Sequence, residues 1–209
     1  TLPTVTVDTD DTDTDTDTDA PDATQTTPQA LRAGDHDFGT LVVVPELVVT
    51  AVVGFGFYAQ ATTGGPGAGM FIYTDSSPNV AVGQVVEAEG VFTLYEGQAE
   101  IDAVNGAVRW SGTSVTAPSP AVVDINDLQG GDKAYLWEAS LVQVVDVDAS
   151  VSSLDGALSL IDGADSLPVG THLYVASASD GQHFEAVSGV FVHRDSLYQL
   201  YPRGASDFE

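Results

Sequence analysis

A chain of 209 residues with 43% hydrophobic content is long enough for one large domain or two small ones of about 100 residues. Its formal net charge is −26, from 31 acidic residues against 5 Lys and Arg, which repels phosphate backbones and excludes the basic patch that nucleic acid recognition needs. Cysteine is absent, which excludes a disulfide framework and thiolate chemistry, and no apolar run approaches the roughly 18 residues of a membrane span.

The chain opens with TLPTVTV (1–7), β-formers in strand-like alternation, followed by the ladder DTDTDTDTD from Asp11 to Asp19. In isolation such a ladder buries nothing that offsets the entropy of ordering it, so it reads as a polar spacer unless another molecule holds it still. If extended, Asp11, Asp13, Asp15, Asp17 and Asp19 share one face and recur every ~6.6 Å. That face offers candidate Ca2+ ligands, and the Thr face suits O-glycosylation. The first residue is Thr1, which reads as a processed, exported chain. An acidic, Lys-poor surface suits salty water and divalent cations. The expected location is therefore secreted, extracellular or at the cell surface.

Beyond the ladder, apolar residues alternate or run in short β-branched blocks bounded by Gly, Asp, Asn and Pro, and helical periodicity is nearly missing. The first set of predicted strands is 40–53, 56–61, 70–74, 84–95 and 99–103 with 107–110. TAPSPA (116–121) reads as a Pro-punctuated linker. The second set is 134–147, 157–162, 171–176, 183–193 and 197–202. The two sets look like one unit written twice. LRAGD (31–35) returns as LQGGD (128–132), ELVVTAVV (46–53) as SLVQVVDV (140–147), and EAEGVF (87–92) as EAVSGVF (185–191), in the same order at an offset of roughly 95 residues. Gly90 and Gly189 fall inside the fourth strand of each set, where an interior Gly marks a bulge or bend. Five curled antiparallel strands in so few residues suit a small closed barrel, with a β-sandwich as the competing architecture.

The stretches LVVVPELVVTAVVGFGFYAQ, GAGMFIYTD and NVAVGQVVEAEGVFTLYEGQAEI resemble the OB-fold domains of secreted bacterial proteins, the type appended to extracellular nucleases. The second set ends LYQLYPRGASDFE, similar to the closing strand and tail of those domains. The resemblance covers most of 31–110 and, more weakly, 128–209. It rests on strand and turn signals, so it implies an all-β fold of two tandem OB-like barrels and a secreted setting, and no particular activity. The implied organisation is a tail at 1–27, a first barrel at 28–115, a linker at 116–125 and a second barrel at 126–209.

Catalytic motifs are missing. TTGGPGAGM (62–70) lacks the Lys-Ser/Thr ending of a phosphate loop and precedes a strand, there is no GxSxG nucleophile elbow, and the four His lack metal spacing. His183 and His193 on adjacent strands, with Glu185 nearby, would attract a metal, but surface or half-buried strand His is the plainer reading. The paired acids Glu87 with Glu89, and Glu96 with Glu100, read as solvated strand-edge charges. Phe55, Phe57, Phe71 and Tyr73 fall on the second and third strands, a face on which aromatic rings stack bases or sugars in OB folds. The charge disfavours nucleic acid; Phe55, Phe57 and Tyr73 remain candidates for a glycan. The leading expectation is a non-enzymatic extracellular protein that polymerises by inserting Leu2, Val5 and Val7 at the open sheet edge of another copy. A secreted ligand-binding module, for a glycan or in the service of an enzyme, is the alternative.

Overall fold

The computed structural model describes residues 22–209. The chain is predominantly β and forms two sheets. In the first half, β1 (Thr24–Gln25) precedes the short helix α1 (Pro28–Ala33), and β2 (Leu41–Val53), β3 (Gly56–Ala61), β4 (Gly69–Tyr73), β5 (Gln84–Tyr95) and β6 (Gln98–Ser114) follow. The pairings run β2–β3–β4–β6–β5 and return to β2, with β4 and β6 parallel and the other pairs of this ring antiparallel. β2 makes closure possible by serving two neighbours: 41–48 pair with β5 and 47–53 with β3. Between these stretches the register slips at Pro45–Glu46, where Glu46 has φ 57. Proline has no N–H to lend to a ladder, so the bend falls where pairing is already interrupted. Val42, Val44, Leu47, Phe57, Met70, Ile72, Phe92 and Ile101 fill the interior.

In the second half, β7 (Ala121–Val122), α2 (Ile125–Leu128) and α3 (Gly131–Trp137) lead into β8 (Leu141–Val151), β9 (Leu158–Asp162), β10 (Asp165–Pro168), β11 (His183–Arg194) and β12 (Leu197–Tyr201). This sheet runs β10–β9–β8–β11–β12, and β10 meets β12 only through the parallel bridge Val169–Leu200. Its ring is thus nearly but not fully sewn. Pro168 supplies the reason. Val169 donates to Leu158 O on β9 and Gly170 to Leu200 O on β12. By alternation, position 168 faces β12, where proline has nothing to donate.

The halves repeat one hydrogen-bond scheme. β1 runs parallel to β2 at Val42–Val43, and β7 parallel to β8 at Val142–Gln143. Phe92 N donates to Thr40 O, and Phe191 N to Ser140 O. Val42 faces Gly90, and Val142 faces Gly189. These pairings support the match of EAEGVF with EAVSGVF. They correct the match of 46–53 with 140–147: the equivalent of 41–48 is 141–148. Gly90 lies at a register shift between Glu89 and Val91, and a Cβ there would run into Asp102 O. Gly189 shows no such shift; a Cβ there would lie 2.7 Å from Tyr201 O.

Three strand expectations change. Residues 134–137 of the expected strand 134–147 belong to helix α3, in which Ala134 and Leu136 are good helix formers, and the strand starts at Leu141. The expected strand 171–176 is irregular: His172 stacks on Tyr201 and Leu173 packs beside it, and the third strand is instead the less apolar DSLP of β10. The two pieces 99–103 and 107–110 are one continuous strand. Helix α1 also carried cap signals that periodicity overlooks. Thr27 Oγ1 accepts from Ala30 N, Pro28 takes the first turn, and Gly34 ends the helix at φ 83.

The two halves are locked face to face. Ala51, Tyr58 and Phe71 from the first meet Ala139, Leu141, Val190, Val192 and Tyr201 from the second in one buried cluster. Arg32 and Glu138 form a fully buried ion pair at 2.7 Å, and Glu138 Oε1 also accepts from Ala99 N. Gln60 Oε1 accepts from Leu141 N, and Gly67 N donates to Leu136 O.

Candidate ligand-binding cleft

Beside this interface lies a cleft of about 450 Å3. One wall comes from the turn and strands of the first half. Phe55 occupies the two-residue connection between Val53 and Gly56, and Phe71 and Tyr73 stand on β4. Phe55 meets Phe71 edge-on at 6.1 Å and Tyr73 at 6.4 Å. Tyr73 Oη donates to Asp75 Oδ1 at 3.0 Å, which fixes the ring and pushes its hydroxyl pKa up. The floor is β6. Strict alternation sends Ala99, Ile101 and Ala103 into the core and leaves Gln98, Glu100 and Asp102 on the cleft side. The end of β5 adds Thr93, Leu94 and Tyr95.

Arg194, from the end of β11, closes the cleft from the second half. Its guanidinium lies over the Phe55 ring, 5.6 Å from the centroid, and its Nε is 3.7 Å from Glu96 Oε2. His193 secures this hairpin, with Nδ1 2.9 Å from Gly97 O and its ring stacked on Tyr198.

The electrostatics of the floor are uneven. Glu100 is only 6% exposed, yet its carboxylate has no hydrogen-bond or ion-pair partner among the described residues. Burial, then Asp102, push its pKa up to about 7, against the pull of Arg194. Asp102 Oδ1 accepts from Val104 N. Gln98 is 4% exposed, and its Nε2 is buried without a partner. Among the described residues, the Glu100 carboxylate, which opens on the cleft, and the buried Gln98 Nε2 thus stand two positions apart on one face of β6, an acceptor and a donor without a protein partner.

Two of the three expected glycan-binding residues, Phe55 and Tyr73, line this cleft, as does Phe71 of the same aromatic set. Phe57 is different: it is fully buried in the first core. The hairpin turn at Gly54–Phe55 breaks the alternation, so Phe55 and Phe57 do not share a face. Glu100 was read with Glu96 as a solvated strand-edge charge, whereas it is a buried residue on the cleft floor and Glu96 leans on Arg194; Asp102 was not singled out. Arg194 carried no local signal, because only the docking of the two halves brings it to Phe55. Glu87 and Glu89 instead hold Arg109. His183 lies between Asp146 and Asp148, away from His193. Among the described residues no group of three or more His, Cys, Asp or Glu is placed to hold a metal ion. The assembly residues Leu2, Val5 and Val7 and the candidate Ca2+ ligands Asp11, Asp13, Asp15, Asp17 and Asp19 lie outside the described residues. No helix among the described residues is long and apolar enough to cross a membrane. No protein-family model matches the chain, and no curated protein matches it.

Proposed function

We propose that this is a non-enzymatic extracellular binding protein, built from two tandem OB-type barrels, whose cleft takes a glycan. One observation carries the reading: on the floor of a cleft walled by Phe55, Phe71 and Tyr73, the Glu100 carboxylate and Gln98 Nε2 have no protein partner among the described residues. Aromatic faces stack on the apolar faces of sugar rings, and a carboxylate beside an amide accepts from and donates to neighbouring hydroxyls. A cleft of this size suits a small ligand or a short oligomer. The ring order β2–β3–β4–β6–β5, the parallel β4–β6 pair and the bent first strand favour the OB assignment. The acidic, Lys-poor composition favours an extracellular setting. A glycan array with the unaltered chain and a Phe55→Ala, Tyr73→Ala variant tests the proposal. Selective binding lost in the variant is the expected result, and a blank array overturns it.

A second reading, self-assembly through the N-terminal strand, has one observation in its favour. β10 and β12 share a single bridge, which leaves a thinly paired sheet edge of the kind that accepts an added strand. Deleting residues 1–7 and imaging the product tests it. Filaments that persist without them end that reading.

A further inference from the structure

We propose that the glycan taken by this cleft carries a free amino group, its ammonium seated against Glu100 and Asp102 and its ring on Phe55 and Tyr73. The inference rests on the glycan-binding reading above and names the class of sugar. Three carboxylates, Asp75, Glu100 and Asp102, line the cleft against the single guanidinium of Arg194. That guanidinium does not fill the gap: it leans on Glu96 and lies over Phe55, and Glu100 keeps no partner among the described residues. Arg194 does show what the wall accepts, because a cation already rests on the Phe55 face, where the ring quadrupole attracts it. A neutral sugar could donate a hydroxyl to Glu100, but ionising a buried carboxylate beside Asp102 is costly without a positive partner. An ammonium supplies both the charge and three donors.

The rest of the cleft argues for a sugar rather than a bare amine. Its volume, about 450 Å3, exceeds what a slender alkylammonium would fill. Thr93 and the unpartnered Gln98 Nε2 offer polar contacts off the axis of the acids. Such groups suit the ring oxygen and hydroxyls of a pyranose and find no partner in a methylene chain.

The test is calorimetric titration of the full chain at neutral pH with three tetrasaccharides: a glucosamine oligomer, its fully N-acetylated form and a glucose oligomer. A lysine tetrapeptide serves as a fourth ligand. We expect the glucosamine oligomer to bind at least tenfold more tightly than the other three. Glu100→Gln and Asp102→Asn each weaken it about tenfold, and Arg194→Gln strengthens it by removing the competing cation. Two isosteric acid variants guard against one that fails to fold. Equal or tighter binding of the acetylated or glucose oligomer overturns the amino-sugar inference and leaves the glycan reading standing. Equal binding of the lysine peptide overturns the sugar part, weaker binding to Arg194→Gln overturns the charge argument, and no binding of any oligosaccharide removes both readings.

Discussion

Glu100 is held in the protein at a cost. Its carboxyl titrates near 7 when folded and near 4.5 when unfolded, so between those values the folded state holds a proton that the unfolded state has lost. Stability therefore falls as pH rises through this window, from the unfolded value to about 7. Glu100→Gln removes the titration: its stability curve should be flatter between pH 4.5 and 7, and the variant should exceed the parent above pH 7. Urea unfolding of both proteins at several pH values checks this, and parallel curves would refute it. Arg32 and Glu138 pose a different problem, since both side chains are fully buried and burial pushes the Glu138 carboxyl up despite the guanidinium beside it. Arg32→Met alone strands that carboxyl and should cost about 3–5 kcal/mol, while Arg32→Met with Glu138→Leu should recover most of the loss. Chemical denaturation of the single and double variants decides it. A double variant as unstable as the single one would mean that the pair is needed for its geometry.

At the scale of elements, the two rings differ where β10 passes β12. If the missing N–H of Pro168 is what leaves the second ring thinly sewn, Pro168→Val should add a protected amide at position 168 and slow exchange at Gly170. Hydrogen exchange followed by NMR reads this directly, and an unprotected amide at 168 would show that the gap has another cause. The strands of the first half were legible nearly residue for residue, because long alternating β-branched runs such as 84–95 have one plausible period. β10 was not, since DSLP is short and polar and gains its place from β9. Helix α3 was not, since AYLW satisfies strand and helix patterns alike and only Gly130 and Gly131, at φ 143 and 71, mark its start. The aromatic wall was half visible: Tyr73 follows from alternation along β4, whereas the side taken by Phe55 depends on a hairpin turn.

For the whole molecule, an excess of 26 negative charges on 209 residues makes self-repulsion a global term. The melting temperature should therefore rise between about 0.05 M and about 1 M NaCl, where the screening length contracts from more than ~10 Å to ~3 Å. A flat or falling series, measured by circular dichroism, would show that local pairs outweigh the collective field. The strands of the first half were legible from its own residues, but not the parallel pairing of β4 with β6, where antiparallel strands were expected, nor the lock between halves, because Arg32 with Glu138 and Gln60 with Leu141 join residues remote in the sequence.

That lock gives the two copies unequal fates. The second copy spends Leu141, Val190, Val192 and Tyr201 on holding its sibling, and where the first copy offers Glu100 and Asp102 it has Gln199 and Tyr201. One half thus carries most of the cleft and the other buttresses it. Appending further copies of the buttress would lengthen the chain without adding a cleft, and severing the two would strip Arg194 from the mouth of the one that remains.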